Sequence, residues 1–559
     1  MRFTSLLLSL VLAFALIGCG GAENDPRQCA YWVKKLNSPA EAREAITQVG
    51  QMRCVEAVEP LSALFEQGQH REDVLIAVSR LGDDATSTAL ASKALMMKDI
   101  GRKAARFIAE ERLVNAAPAL KEVLKTNRNL DVRGLAIDAI EALAIDTSDL
   151  EDALIKVLDE DPATQGIAAN RGAARLLGTM KSTRAIPSLI MGLFVSFKDT
   201  GGEHTCYNAA RMALVNIGLP AVDPLVEVLA GKSADFKSFA RDMNIPRWKW
   251  QWGPKLVQVL SDIRDPRAAE TVASVVLARE YATWQGLSPE QQDENKPQYN
   301  ALRAQWGKVI VKGFVTSIFA LARFSNDDSV DILAKIIPNQ PYRDWAQRLY
   351  AEQALALIGT AKSKKAVVNA FNVEESNAGK ANLMTHMALA LGPDDMAGWS
   401  PITKAAAKKT KGKKLKPTEK WLVDELSKST IQSFLSVNQQ CAERGTTCYI
   451  DILRNAKDLR QVSKAAALLW REGPSDDAFN AMLTGFKRTD PTSFGPRDPN
   501  RGAAQDARFY LLIGMGHVGK AEHAAQIDRY ADSLKDDGKQ KGWYNELLAL
   551  SAALSRKSG

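Results

Sequence analysis

From Ser38 onward, apolar residues recur every three or four positions, and short polar stretches break the pattern. That spacing lays one apolar stripe along a helix. Alternation of period two is nearly absent, so the expected fold is all-α. The helices are rich in alanine and come in pairs. Residues 171–193 show the unit. Ala174 and Leu177 share one face of a first helix, and Gly178 stands where a helix end favours positive φ. Ala185-Ile186-Pro187 opens a second helix, since proline is tolerated in a first turn. Leu189, Ile190 and Leu193 form its stripe.

The same order recurs along the chain. Residues 209–218 precede a helix over 221–229, and Leu256 to Ile263 precedes Asp265-Pro266-Arg267-Ala268-Ala269. Tyr350 to Gly359 precedes Lys365-Ala366-Val367, and Asp131 to Leu143 precedes Leu150 to Leu158. Gly178 and Gly218 are 40 residues apart, and Gly359 and Gly392 are 33 apart. This period and pattern resemble HEAT repeats, including the shorter bacterial HEAT-like type. The resemblance implies an α-solenoid of roughly a dozen helical hairpins, each burying its apolar face against the next. It further implies a curved right-handed superhelix with a long groove, and protein–protein interaction in general. Asp265 and Arg267 are expected to join adjacent repeats. Four inserts interrupt the register, at residues 231–253, 283–304, 397–420 and 485–505. Functional variation in solenoids tends to sit in such inserts.

The first 19 residues follow another pattern. Arg2 is a positive n-region, Leu6 to Ile17 is an apolar run, and Leu16-Ile17-Gly18-Cys19 closes it. That order reads as a secretory signal. Its ending resembles the bacterial lipobox, which implies cleavage before Cys19 and lipid on that cysteine. A span is not expected, because a run of twelve residues falls short of the roughly 20 a bilayer needs. The polar stretch Gly20 to Arg27 reads as a flexible tether of about 15 Å. The expected organisation is therefore a signal at 1–18, a lipidated cysteine and tether at 19–28, a repeat array at 29–396, a lysine-rich insert at 397–420 and further repeats at 421–559. The expected location is the cell envelope, with the outer membrane as the anchor.

Composition is that of an ordinary globular protein, with 46% hydrophobic and 25% charged residues. The net charge of +8 is concentrated. Residues 404–420 hold Lys404, Lys408, Lys409, Lys411, Lys413, Lys414, Lys416 and Lys420 against the lone Glu419, a net of +7. The remaining body is near neutral. This segment suits an acidic partner, anionic lipid headgroups or an acidic polysaccharide, and it also reads as a plain solvated loop. Nucleic acid is excluded as a partner by the expected location.

In an oxidising envelope the remaining cysteines can pair. Cys29 with Cys54 and Cys441 with Cys448 are the simplest pairs, which leaves Cys206 over. Buried free thiols are the alternative.

Candidate chemistry is sparse. Gly514-Met515-Gly516-His517-Val518-Gly519-Lys520-Ala521 matches G-x-G-x-x-G and nearly matches a phosphate loop. Position 521 lacks a hydroxyl for magnesium, and no βαβ pattern surrounds it. The glycines are expected at an inter-helix break. No two of the five histidines stand at metal-pair spacing. Glu203, His204 and Cys206 are close in sequence and are expected to be structural, at a helix start. No nucleophile elbow occurs. Enzyme activity, a metal and a cofactor are not expected. Trp248, Trp250 and Trp252 would share one side of an extended chain and grip a peptide or a sugar. Packing as the core of the insert is the favoured reading. Taken together, the chain reads as a non-catalytic scaffold for envelope proteins, tethered to the membrane through Cys19. A polyanion-binding module using 404–420 is the alternative, and a lyase-type enzyme ranks below both.

Overall fold

A computed structural model describes residues 25–126, 130–243, 245, 249–276, 319–324, 327–339, 345–393, 395, 408, 411 and 414–557. The chain forms two compact units, Met1–Ala213 and Leu214–Gly559. Both are built almost wholly of packed helix pairs, as an all-α solenoid-like fold requires.

In the first unit the first helices of successive hairpins are Ala42–Met52, Arg71–Leu81, Gly101–Glu110, Leu130–Ala142 and Ile167–Thr179. Their starts advance by 29, 30, 29 and 37 residues, the last step holding an extra turn at Pro162–Gln165. The first of them buries Ala42, Ala45, Ile46, Val49 and Gly50, a stripe of helical spacing. First helices pack on first helices, and second helices such as Asp84–Leu95 and Ala117–Thr126 pack on second helices. One hairpin cannot bury its stripe alone, so each layer completes its neighbour.

The turns share a chemistry. Val55–Ala57, Val114–Ala116, Leu219–Ala221 and Pro266–Ala268 are single 3₁₀ turns, each ending in an alanine with no exposed surface. A residue of positive φ precedes each of them, namely Arg53, Arg112, Gly218 and Arg264. Gly218 therefore meets the expectation for a helix end. Gly178 does not. It lies inside Ile167–Thr179, and Lys181 takes the left-handed position with φ 53°. Gly178 is needed for contact: a Cβ there would sit 2.5 Å from the Cα of Ala213.

Side chains of one hairpin also cap the helix ends of the hairpin before it. Arg71 donates to the carbonyl of Phe65, Arg133 to Leu124, and Asn170 to Val157, Leu158 and Glu160. Arg508 does the same for Phe486 in the second unit. These carbonyls have no partner within their own helix. On the surface, Arg267 reaches Asp223 of the preceding second helix at 3.4 Å while Asp265 accepts its backbone N–H at 2.9 Å, which is the joining role expected of that pair.

Helices are not quite everything. Ser196–Asp199 and Gly202–Thr205 form an antiparallel hairpin across Thr200-Gly201, inserted before Tyr207–Ile217. The 40-residue interval from Gly178 to Gly218 contains it, so that interval is a repeat plus an insert. A two-residue, glycine-bearing connection between short alternating runs is the local cause.

The second unit departs from the expected array. Its first helices Trp345–Ile358, Asn377–Ala390, Ser429–Cys441, Leu459–Leu469 and Pro499–Val518 stack in order, as neighbours should. The chain then returns on itself. Lys541–Ser555 packs on Lys249–Ile263. Gln353 donates to the hydroxyl of Tyr510 at 2.5 Å, Arg471 to the carbonyls of Ala356 and Ala390 at 2.9 Å, and Phe319 meets Phe509 with ring centroids 4.3 Å apart. Arg556 donates to the carbonyl of Val215, 341 residues away. Contacts confined to neighbouring repeats, with a long open groove, were expected; in this unit the Pro499–Val518 helix makes distant contacts instead. Gly516 leaves room for the distant Arg264 guanidinium, while Gly514 lets the neighbouring helix Asp476–Arg488 approach, for a Cβ at 514 would meet Met482 Sδ at 2.7 Å.

Candidate binding cleft

The 485–505 insert builds one wall of a cleft. The helix Asp476–Arg488 ends at Arg488 and Thr489, a 3₁₀ turn follows at Pro491–Ser493, and the helix Pro499–Val518 starts beyond it. Asp490 fixes the insert by accepting from Thr492 N–H at 2.9 Å and from Gln540 at 2.7 Å. The other wall is the turn between Gly445–Asn455 and Leu459–Leu469. There Asp458 caps the second helix through Arg460 N–H at 2.9 Å and also accepts from the Ser433 hydroxyl at 2.5 Å. Arg488 ties the walls together by donating to the carbonyls of Leu453 and Ala456 at 2.9 and 2.7 Å.

The space between them is about 400 Å³, lined by Lys457, Asp458, Arg460, Arg488, Phe494 and Asn500 among others. Lys457 is exposed, and Arg460 and Phe494 are half-buried. Three cations face one carboxylate whose oxygens are already engaged, beside an aromatic ring. The cleft is thus positive with an apolar edge. A second cleft, of about 490 Å³ beside Arg348 and Val373, lacks this bias, because Arg348 is bonded to both Glu352 and Glu374.

The residues marked by sequence fall as follows. Cys19 lies outside the described residues, as do Trp248, Lys404, Lys409 and Lys413. Cys29–Cys54 and Cys441–Cys448 are disulfides, with Cα atoms 5.5 and 5.3 Å apart. Cys206 is free and buried, and burial pushes its thiol up to about 11. It directly precedes the helix Tyr207–Ile217, as expected, whereas Glu203 and His204 lie in the β-hairpin and not at the helix start. Trp250 and Trp252 lie in the helix Lys249–Ile263, so the extended backbone that would align them on one side is not present at these positions.

Lys408, Lys411, Lys414, Lys416 and Lys420 are exposed. Glu419 pairs with Lys408 and accepts the Lys416 N–H at 2.9 Å. The segment runs into the N-terminus of the helix Pro417–Leu426, where the helix dipole favours acids. Apart from the Lys408–Glu419 pair, the lysine charges ahead of Pro417 therefore oppose that dipole.

The glycine-rich run at 514–519 is not a phosphate loop. Gly514 and Gly516 lie within the 20-residue helix Pro499–Val518, and no break occurs there. Lys520 is salt-bridged to Asp476 at 2.7 Å. Asp476, Glu522 and His523 bring potential ligand atoms within 4.8 Å of one another. However, His523 Nδ1 accepts the Lys520 N–H at 2.9 Å, and the Lys520 ammonium already neutralises Asp476. The group is an ion-pair clamp. A buried His386 at 3.1 Å from Glu352 joins two successive first helices in the same structural sense.

No protein-family model and no curated protein matches this chain. Among solved structures, it is similar to one from work on a phosphorylation switch that controls the interaction between cadherin and beta-catenin. The identity is 13%, the match covers 86% of this chain and 99% of the other, and the TM-score is 0.33. An engineered protein from a structural genomics consortium matches at 16% identity over 87% and 99% of the two chains, with a TM-score of 0.23. Likenesses this loose carry no argument about function.

Sequence reading missed the cleft because Arg488 and Phe494 lie far along the chain from Lys457 and Arg460. The 485–505 insert is the available signal: it is one of four inserts where functional variation is expected, with nothing in its sequence to single it out.

Proposed function

We propose that this chain is a non-catalytic scaffold of the HEAT-like type, held at the cell envelope by lipid on Cys19. On this reading it binds a partner protein, and the contact is made in the cleft between residues 456–460 and 488–500. The observation that carries the reading is the cleft itself, built by an insert, lined by Lys457, Arg460 and Arg488 and edged by Phe494. Such a surface suits an acidic segment of a partner, with an apolar side chain set against Phe494. The two disulfides accord with an oxidising compartment. No single described helix is long and apolar enough to cross a membrane.

In-cell crosslinking of the tagged chain, followed by mass spectrometry, tests this. Parent protein is compared with Lys457→Glu/Arg460→Glu. A defined envelope protein captured by the parent and lost in the double variant supports the cleft. Equal capture by both would sink it. A second reading, binding of an anionic lipid or acidic polysaccharide through 404–420, is favoured by lysines that oppose the dipole of the helix they precede. Replacing the eight lysines of the segment by glutamine separates the two, since only this reading expects salt-sensitive polyanion binding to disappear.

A further inference from the structure

The distant contacts of the second unit gather an excess of cations. Arg264 has φ 65°, at the end of Lys249–Ile263, and its guanidinium lies against Gly516. A Cβ on residue 516 would fall 1.8 Å from Arg264 Nη1, so any larger residue there would displace the guanidinium. Arg556 comes from beyond the last helix and is seated over Gly218, where a Cβ would be 2.5 Å from its Cδ. Arg323 is only 6% exposed and donates to Asp262 at 2.9 Å and to Glu546 at 3.0 Å. Lys557 donates to the carbonyls of His517 and Gly519 at 3.1 and 2.7 Å.

Among the described residues the charges do not balance. Arg264, Arg323, Arg556 and Lys557 stand against Asp262 and Glu546, four cations to two carboxylates. Two positive charges are left over in a largely buried place. Three guanidinium nitrogens are sealed from solvent with no hydrogen-bond partner among the described residues: Arg264 Nη1, Arg323 Nε and Arg556 Nη2. A buried, unpaired cation is strongly disfavoured, and orphaned buried donors are rare enough to need a cause. Burial together with Arg323 lowers Arg264 to about 9, and burial with Arg264 lowers Lys557 to about 8. Arg264 and Arg556 keep part of their surface in solvent, which leaves a way in.

We propose that Arg264, Arg323 and Arg556 form a binding site for a doubly charged oxyanion of the phosphate class. The surplus of two charges fits a dianion such as inorganic phosphate or a phosphate monoester, where a phosphodiester headgroup carries only one. Each of the three guanidinium groups offers one unengaged nitrogen, and charge-assisted hydrogen bonds from such donors to an oxyanion are strong. The site is separate from the 456–500 cleft, and it stands whether or not that cleft binds a protein.

The test is calorimetric titration of the full mature chain with inorganic phosphate, and separately with glycerol 3-phosphate, in chloride buffer of matched ionic strength. Saturable binding at one site, with a thermal midpoint raised by a few degrees over the chloride control, is expected. Binding of glycerol 3-phosphate as well marks a monoester ligand; binding of inorganic phosphate alone marks the free anion. Arg264→Gln should abolish the phosphate response while remaining at least as stable as the parent without phosphate, because it removes an uncompensated charge. Arg267→Gln, at an exposed neighbour, should keep the response. Equal midpoints in phosphate and chloride, with no titratable heat, would overturn the site. So would a phosphate response unchanged in Arg264→Gln, or in Arg556→Gln if the first variant does not fold.

Discussion

The side-chain amide of Asn170 lies 3.0 Å from the carbonyl of Leu158 and also reaches the carbonyls of Val157 and Glu160. One buried side chain thereby closes the open end of the helix in the preceding hairpin. Asn170→Ala removes these donors and leaves the carbonyls dry. The expected loss is about 3 kcal/mol, near the upper range for stranded buried acceptors. Denaturant unfolding measures it; a loss within error of zero would show that water replaces the amide.

Glycine to alanine in a helix interior normally stabilises by about 0.5–1 kcal/mol. Gly514 should show the reverse sign. Its missing Cβ faces Met482 Sδ at 2.7 Å and Trp470 Cβ at 3.4 Å, so Gly514→Ala must push one of them aside. A destabilisation of about 1–3 kcal/mol is expected. A rise in thermal midpoint would refute the close approach.

The disulfides differ in the loops they close, with sequence separations of 25 and 7. By chain entropy, Cys29→Ser/Cys54→Ser should cost about 3.5 kcal/mol and Cys441→Ser/Cys448→Ser about 2.3 kcal/mol. Paired unfolding curves test the order. The reverse ranking would mean that the longer loop is already constrained in the unfolded chain.

His517 stacks on Trp470 with ring centroids 4.2 Å apart, and burial, followed by Arg264 and Lys557, lowers it to about 3. The unfolded chain takes up its proton near pH 6.5, and the folded chain does not until about pH 3. Its contribution is therefore complete above about pH 6.5 and is lost progressively as pH falls toward 3. His517→Phe keeps the stack and removes the titration. Urea midpoints between pH 4 and 7 should fall less steeply for the variant; parallel slopes would assign the acid sensitivity elsewhere.

Periodicity made the helices, their pairing and the stacked plan legible, because burial of an apolar stripe writes itself into spacing. Adjacent cysteines gave both disulfides. Turn chemistry was less legible. Glycine is the usual sign of a left-handed helix end, and Gly218 and Gly359 obey it, but Arg53, Arg112, Lys181 and Arg264 occupy equivalent positions. A cation there is favoured by the helix dipole, which offsets part of the backbone cost. The β-hairpin at 196–205 was too short to register as a period. The cleft and the arginine centre depend on residues that meet only in three dimensions, and spacing along one chain carries no trace of that.

Lys181 supplies a direct check of this account. With φ 53° it holds a conformation that an L-residue adopts at a cost of about 1–2 kcal/mol. Lys181→Gly relieves the strain and loses some unfolded-state restriction, for an expected gain of about 0.5–1 kcal/mol. Thermal unfolding decides it, and a loss of stability would mean that the lysine's own contacts outweigh its backbone strain.

The bond from Arg556 to the Val215 carbonyl bears on how the second unit comes into being. An ordinary repeat array can be shortened from one end and keep the rest, because each piece leans only on the next. Here the opening helices receive part of their support from the closing one. No partial product of that region holds all its native contacts, so its early helices wait, incompletely packed, until the final segment arrives.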